Sequence, residues 1–294
     1  MTRTEAFLDS IQNGAVLLAD GATGTMLQAD GLETGRVPEA WLFERPDQIR
    51  ALHQAYVDAG SDILLTCSFG GTHYRLEGDG LADQVVKVNR RAAELAREVA
   101  GDSVFVAGDM GPTGQLLEPL GTMTHEEAVD AYAQQAQGLT EGGADLLLIE
   151  TLSDLAEAKA AIEGARRVSE LPIFCTFSFD THGRTMMGVR PAQVAQEIGP
   201  LVQGVGANCG RDPSEYAGFL HAMRQVAPDV ILWAKPNAGL PHVDGDRTVY
   251  DATPEYMKQI TFQLREDGAQ IVGGCCGTTP AHVAAMASAL RNGQ

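Results

Sequence analysis

The chain has 294 residues, 44% of them apolar, which is enough to bury a sizeable core in one or two domains. Its 39 acidic and 21 basic side chains give a formal charge of −18, which argues against nucleic acid or an anionic membrane as a partner. No apolar run approaches the roughly 20 residues of a membrane span, and residues 1–13 lack a signal pattern, so we expect a cytoplasmic protein.

The predicted elements alternate between strands and helices along the chain. Residues 4–12 predict a short extra helix, and eight apolar runs follow, each succeeded by a helical pattern. Short continuous runs bounded by Gly, Asp or Asn are typical of strands buried on both faces of a parallel sheet. Helix starts are marked by a capping box at Thr124 and Glu127 and by Thr253 before Pro254. The predicted strands are residues 15–19, 62–66, 104–107, 146–149, 173–179, 204–207, 230–235 and 271–272.

Eight alternating strand and helix units predict a single (β/α)8 TIM barrel, an α/β fold. We expect one domain over residues 1–294, with the extra N-terminal helix covering the bottom of the barrel. A doubly wound open sheet is the alternative architecture. It calls for a glycine-rich phosphate fingerprint after the first strand, and the segment 20–25, Asp-Gly-Ala-Thr-Gly-Thr, matches that fingerprint poorly.

The ends of the predicted strands carry most of the reactive side chains. In a barrel, the residues that follow the strands converge on one face, where active sites lie. Thiols, carboxylates and an amide occupy these positions. They are Asp20, Cys67, Asp109, Glu150, Asp180, Cys209, Asn237 and the pair Cys275-Cys276.

Three of the five cysteines predict a metal site. Cys209 and the pair Cys275-Cys276 are flanked by glycines and end the sixth and eighth predicted strands. Three thiolates can occupy three corners of a tetrahedron around Zn²⁺ and leave the fourth for water or substrate, as in a catalytic zinc site. The alternatives are a buried apolar pair or a vicinal disulfide, although disulfides are rare in the cytoplasm. We expect Cys175 to fill the core, and the role of Cys67 stays open.

Two acids predict recognition of an amino group. Asp20 and Glu150 follow the first and fourth predicted strands, where they can bind the ammonium group of an amino-acid substrate. Helix capping or a structural ion pair is the alternative role for both. Gly21 and Asn208 complete the residues that we predict to bind substrate.

Four segments resemble the zinc-dependent homocysteine S-methyltransferase family. They are Asp-Gly-Ala-Thr-Gly-Thr (20–25), Gly-Gly-Ala-Asp-Leu-Leu-Leu-Ile-Glu-Thr (142–151), Gly-Ala-Asn-Cys-Gly (206–210) and Gly-Gly-Cys-Cys-Gly-Thr-Thr-Pro (273–280). Asp-Met-Gly-Pro-Thr-Gly (109–114) and Pro-Asn-Ala-Gly-Leu-Pro (236–241) are similar to the homocysteine domain of cobalamin-dependent methionine synthase. The chain also resembles bacterial betaine-homocysteine methyltransferase-like proteins.

The resemblance implies roles for individual residues. Cys209, Cys275 and Cys276 match the zinc ligands of the family, and Asp20 and Glu150 match acids that hold the homocysteine amino group. Asn237 matches an asparagine that can approach zinc when substrate is absent. Cys67 is a departure, because the family usually has asparagine at this position, and this puts in doubt any polar contact made by that asparagine.

The function implied by the resemblance is methyl transfer to the thiol of homocysteine, giving methionine. The implied donor is a separate methyl-corrinoid protein, as in a split methionine synthase. Betaine or a sulfonium compound is the alternative. Gly70 and Thr151 stand where the betaine enzymes of animals carry tyrosines, which leaves an aromatic cage to other residues, such as Trp41 or Tyr74. A hypothesis of another class is a non-catalytic zinc or thiol-binding barrel, in which protein would fill the fourth metal position.

Overall fold

The structure is a computed structural model that describes residues 1–33, 35–180, 182–244 and 247–291. Its strands are β1 (Leu17–Leu18), β2 (Ile63–Leu65), β3 (Phe105–Met110), β4 (Leu146–Leu152), β5 (Ile173–Phe177), β6 (Gly204–Cys209), β7 (Ile231–Pro236), β8 (Pro241–Asp244), β9 (Arg247–Tyr250) and β10 (Ile271–Val272). Its α-helices are α1 (Arg3–Gln12), α2 (Gly24–Ala29), α3 (Trp41–Glu44), α4 (Pro46–Asp58), α5 (His73–Leu76), α6 (Val85–Ala100), α7 (His125–Glu141), α8 (Leu155–Val168), α9 (Pro191–Glu197), α10 (Tyr216–Val226), α11 (Pro254–Glu266) and α12 (Pro280–Arg291).

Eight parallel strands form one sheet in the order β1-β10-β7-β6-β5-β4-β3-β2. The two edge strands meet through a parallel bridge between Ala19 and Ile63, and the Asp20 N–H donates to the Ile63 carbonyl at 3.0 Å. The sheet therefore closes on itself into a nearly complete barrel with helices between its strands. This confirms the predicted (β/α)8 TIM barrel and excludes the open doubly wound sheet.

The N-terminal helix α1 covers one end of the barrel, as predicted. It begins with a capping box in which Thr2 accepts from the Glu5 N–H and Glu5 accepts from the Thr2 N–H. The fully buried Phe7 contacts Phe105 and Phe174 edge-on, with ring centroids 5.3 and 5.7 Å apart. Since Phe105 is the first residue of β3 and Phe174 the second residue of β5, α1 closes the amino end of the barrel.

The predicted helix starts are confirmed at two positions. Thr124 accepts a hydrogen bond from the Glu127 N–H, and the Glu127 carboxylate accepts from the Thr124 N–H, so α7 begins with the predicted capping box. Thr253 accepts from the Tyr256 N–H at the start of α11. Among the described residues, no helix is long and apolar enough to span a membrane.

A two-stranded antiparallel ribbon interrupts the alternation after β7. It consists of β8 and β9 and lies between β7 and α11, where the sequence predicts that a helix follows directly. The Ala252 N–H donates to the Ala238 carbonyl at 2.9 Å, and the Ala238 N–H donates to the Cys276 carbonyl at 2.9 Å. These bonds attach the ribbon to the loop that follows β10.

Candidate active site

Cys209, Cys275 and Cys276 lie together at the carboxyl end of the barrel. Cys209 is the last residue of β6, and the other two follow β10. Their Sγ atoms all lie within 4.8 Å of one another. In the described part of the chain, no other group of three or more His, Cys, Asp or Glu side chains brings its ligand atoms this close. The structure therefore brings together the three thiols singled out in the sequence.

The backbone around these thiols is constrained. Cys209 has a φ of +58°, a left-handed conformation that costs roughly 1–3 kcal/mol in a non-glycine residue and that clusters at functional sites. The Cys275 N–H donates to the Pro236 carbonyl at 2.8 Å, which ties the loop after β10 to β7. A Cβ on Gly274 would lie 2.4 Å from Oγ1 of Thr278, so the loop has no room for a side chain there.

The three thiols are hydrogen-bonded to one another. Hydrogen bonds from Cys275 and Cys276 lower the pKa of the Cys209 thiol to about 3. The hydrogen bond to Cys209 raises the pKa of Cys275 to about 11, and it raises the pKa of Cys276 as well. One thiolate therefore forms readily, whereas three thiolates this close repel one another unless a cation neutralises them.

The thiol cluster fits a zinc ion by its chemistry. Zinc binds cysteine sulfur at about 2.3 Å, so tetrahedral ligands lie about 3.8 Å apart, within the observed limit of 4.8 Å. Three sulfur ligands with room for a fourth group are the donor set of a catalytic zinc site.

Asp20 and Glu150 lie on the same face as the thiols. Asp20 is fully buried; its Oδ2 accepts from the Leu65 N–H at 2.9 Å, and its Oδ1 has no partner among the described residues. Burial raises the pKa of Asp20 to about 7. Glu150 Oε2 accepts from Nζ of Lys235 at 2.7 Å, and burial raises the pKa of Glu150 as well. The face therefore carries buried carboxyl groups with unused hydrogen-bonding capacity.

Lys235 and Asp109 are site residues that the sequence reasoning did not assign to substrate. Lys235 is 2% exposed and pairs with Glu150. Asp109 is 6% exposed, its Oδ1 has no partner among the described residues, and burial raises its pKa well above the ordinary range. A lysine between the buried Ala234 and Pro236 at the end of a strand is the signal that could have identified the cation.

Asn208 is held by its neighbours. Its Oδ1 accepts from the Thr151 N–H at 2.8 Å and from the Thr176 hydroxyl at 2.7 Å, and its Nδ2 donates to the Thr151 hydroxyl at 2.6 Å. Thr151 has a φ of +63°, so these bonds support a strained residue beside Glu150. Nδ2 also lies 3.9 Å from Sγ of Cys275. A direct contact of Asn208 with substrate stays a prediction.

Cys67 and Cys175 lie apart from the thiol cluster. Cys175 is fully buried within β5, as expected for a core residue, and burial raises its pKa. Cys67 is 2% exposed, and burial, with the charge of Glu39 adding to it, raises its pKa well above the ordinary range. Neither thiol is poised to ionise.

A cavity of about 620 Å³ opens at the carboxyl end of the barrel. The three clustered cysteines line it together with Asp109, Glu150 and Lys235. Gly21 also lines the cavity, and a Cβ there would lie 2.8 Å from the Tyr56 ring. The walls also include the buried Glu39, the half-buried Tyr74 and the exposed Arg75. A small amino acid would fill only part of this volume, so a second reactant has room beside it.

The chain belongs to the homocysteine S-methyltransferase family. The family model for homocysteine S-methyltransferase matches residues 17–290, which includes the whole barrel and every residue of the site. The relatives and neighbouring structures agree with this membership.

Two curated relatives are methionine synthases. The protein of Mycobacterium tuberculosis is 33% identical over 94% of this chain, and that of Mycobacterium leprae is 33% identical over 94%. The chain spans about a quarter of the length of these relatives (25% and 24%).

Solved structures of the homocysteine methyltransferase MmuM from Escherichia coli share the fold. The metallated form is 26% identical with a TM-score of 0.79 and covers 98% of this chain and 99% of its own. The oxidised form is 25% identical with a TM-score of 0.76 and covers 95% of this chain and 98% of its own.

Proposed function

We propose that the chain transfers a methyl group to the thiol of homocysteine to form methionine, using zinc held by Cys209, Cys275 and Cys276. The observation that carries this proposal is the three-thiol cluster in one cavity with the buried acids. The metallated MmuM neighbour and the family match support it. We also propose that residues 1–294 act as one homocysteine-binding domain, and that the five free thiols reflect a cytoplasmic location.

The buried acids at this end of the barrel would hold the substrate by its amino group. Asp20 offers its unpartnered Oδ1, and Glu150 offers the oxygen that Lys235 does not occupy. Buried carboxyl groups bind an ammonium strongly because the surroundings exclude water. With the ammonium fixed, the substrate sulfur can reach the thiol cluster. Gly21, where a Cβ would lie 2.8 Å from the Tyr56 ring, and Asn208, which holds Thr151, would shape the same pocket.

A zinc ion at the three cysteines would lower the pKa of the substrate thiol, so that its sulfur is a nucleophilic thiolate at neutral pH. The protein groups then act by position. They hold the sulfur and the ammonium, which leaves the methyl donor to approach in line from the open part of the cavity. The new bond joins sulfur to the methyl carbon, and the donor atom keeps the electron pair of the bond that breaks.

A separate methyl-corrinoid protein is the donor that we propose. The methionine synthase relatives support methionine as the product, and the resemblance of residues 109–114 and 236–241 to the homocysteine domain of cobalamin-dependent methionine synthase supports a corrinoid donor. The two positions at which betaine enzymes carry tyrosines also support the corrinoid donor, because neither carries an aromatic ring here. Gly70 donates its N–H to Glu39 at 2.5 Å, and Thr151 is hydrogen-bonded to Asn208. Trp41 is 2% exposed and stacks with Arg45, so it is not poised to form a cage around a quaternary ammonium.

The test is a donor screen with the zinc-loaded protein and homocysteine. A methyl-corrinoid protein, betaine and S-methylmethionine are supplied in turn, and methionine is measured. We expect methionine only with the corrinoid donor. Turnover with betaine or with the sulfonium would instead support a small-molecule donor. Zinc binding without turnover on any donor would favour the non-catalytic zinc barrel and overturn the proposal.

A further inference from the structure

Lys235 is an unusual residue for the interior of a barrel. Its side chain is 3% exposed, and it is the penultimate residue of β7, paired in register with Asn208 on β6. It therefore lies one residue deeper in the barrel than the level of Cys209, which pairs with Pro236. Burying an ammonium is costly unless it is paired and hydrogen-bonded, so its placement calls for a role.

The ammonium of Lys235 has unused hydrogen-bonding capacity. An ammonium has three N–H donors, and the bond to Glu150 at 2.7 Å is the one described for it within the described residues. Lys235 lines the cavity. Two of its donors can therefore serve a ligand that enters there.

The surrounding charges alternate in a way that suits a zwitterion. Burial opposes the charge on Lys235, but the acidic groups around it, Glu150 first among them, raise its pKa overall. Asp20 and Asp109 each keep one buried oxygen without a partner in the described part of the chain. An α-amino acid carries the complementary pair of charges, an ammonium for these oxygens and a carboxylate for the lysine.

The other cations at the cavity are less suited to the carboxylate. Arg36 is engaged by Glu44 at 2.8 Å and by Asp79 at 2.9 Å. Arg75 is exposed, and its charge acts on Glu39. Lys235, by contrast, is buried and paired with Glu150, one residue deeper in the barrel than the level of Cys209.

We propose that Lys235 determines substrate specificity by binding the carboxylate of the thiol substrate while Asp20 and Asp109, together with Glu150, bind its ammonium. This inference rests on the proposed function, because it assigns the two charged groups of homocysteine. It adds Asp109 and Lys235 to the substrate-binding residues, and it makes the carboxylate as important for binding as the amino group.

Three thiols separate the contributions of the two charges. Homocysteine carries both groups, 4-mercaptobutanoate carries only the carboxylate, and 3-mercaptopropylamine carries only the ammonium. Calorimetry on the zinc-loaded protein measures their binding to the wild type, to Lys235→Met and to the control Lys159→Met. Lys159 is a surface residue that pairs with Glu197 and lies outside the cavity.

We expect Lys235→Met to weaken homocysteine and 4-mercaptobutanoate by roughly 10- to 100-fold, the usual weight of a charge-assisted hydrogen bond. Binding of 3-mercaptopropylamine should stay at or above the wild-type level, since the variant cavity is more negative. Lys159→Met should change none of the three. The inference is overturned if Lys235→Met weakens the binding of all three thiols equally. It is also overturned if the affinities for homocysteine and 4-mercaptobutanoate, the two ligands with a carboxylate, do not fall.

A second variant controls for misfolding. Lys235→Met leaves the Glu150 carboxylate buried without its cation, which could destabilise the fold. The double variant Lys235→Met with Glu150→Gln removes both charges and is compared with Glu150→Gln alone. The same selective loss of carboxylate ligands is expected, and its absence contradicts the inference. If homocysteine binds and is methylated but the pattern is absent, only this inference fails. If homocysteine does not bind the wild type, the proposed function fails and this inference falls with it.

Discussion

The side-chain amide of Asn237 lies between Cys209 and the loop that follows it. Nδ2 donates to Sγ of Cys209 at 3.6 Å and to the Gly210 carbonyl at 2.8 Å. Oδ1 is buried without a partner among the described residues, although buried side-chain oxygens are normally hydrogen-bonded. An oxygen so placed beside the thiols suits the approach to zinc that the family resemblance implies for the substrate-free state.

Replacing Asn237 with alanine should therefore speed the loss of zinc to a chelator when homocysteine is absent. Groups that support metal ligands typically contribute 10- to 100-fold to metal affinity, so we expect roughly that change. Saturating homocysteine should reduce the difference, because the substrate sulfur would then occupy the position. The release rate is followed with a colorimetric zinc chelator, and Asn13→Ala at the end of α1 is the control. Equal acceleration with and without homocysteine would restrict Asn237 to its hydrogen bond with Cys209.

The zinc assignment predicts one tightly bound ion per chain. Cys209→Ala, Cys275→Ala and Cys276→Ala should each lose most of the metal, because two sulfur ligands hold zinc far less well than three. Metal analysis of the purified variants measures this. A variant that retains one full equivalent removes its residue from the site.

Cys67→Ala and Cys175→Ala are the matched controls. Both thiols are buried and lie outside the cluster, so the zinc content should stay at the wild-type level. The variants should instead unfold at lower temperature, as expected when a buried side chain is shortened. Loss of zinc from the Cys67 variant would show that the ligand set is incomplete.

The barrel was predictable because its signals are repeated and local. Continuous apolar runs followed by helical patterns recur eight times, and each repetition supports the same architecture. The thiol cluster was predictable for a related reason, since the carboxyl ends of barrel strands must converge, and Cys209 ends β6 while Cys275 follows β10.

The ribbon of β8 and β9 and the ion pair of Lys235 with Glu150 were not predictable in this way. The ribbon interrupts a pattern that is regular elsewhere, and residues 241–250 lack the continuous apolar run that marks the barrel strands. The ion pair joins positions 85 residues apart. Only the closed barrel shows that β4 and β7 direct these two side chains at each other. The sequence alone therefore describes Glu150 as a free acid, whereas the structure shows it in an ion pair.

The assignment of Asp20 and Glu150 to the ammonium group predicts that neutral variants of these acids lose substrate affinity. Asp20→Asn and Glu150→Gln should each weaken homocysteine by roughly 10- to 100-fold, since each removes a charge-assisted hydrogen bond to the ammonium. Binding of 4-mercaptobutanoate, which has no amino group, should change much less. Calorimetry measures both ligands, and metal analysis should find wild-type zinc in both variants. Normal homocysteine binding in both would mean that the two acids are structural.

The raised pKa of Asp20 predicts that both stability and ligand affinity depend on pH. A ligand without a thiol can separate this effect from the ionisation of the substrate thiol. Burial raises this pKa from 3.8 to about 7, although Lys235 opposes the shift. The native state therefore holds this proton between about pH 4 and 7 whereas the unfolded state does not, so Asp20 contributes less to stability as the pH rises through that window. The affinity for the ligand should instead rise with pH through the same window, because an ammonium group binds the ionised carboxylate more strongly than the protonated one.

Methionine is the ligand for this test, because it has the ammonium and the carboxylate but no thiol. Its affinity should fall as the pH is lowered through about 7, by roughly tenfold at one unit below that pKa, the limit set by the protonated fraction of Asp20. Asp20→Asn should bind methionine weakly and with a flatter pH profile. Glu39→Gln is the matched control, because burial raises the pKa of Glu39 to about 7 as well and this residue lines the cavity without an assigned contact to the substrate. If the pH profile flattens in the Glu39 variant and persists in Asp20→Asn, the titrating group is Glu39, and the amino group of the ligand does not depend on Asp20.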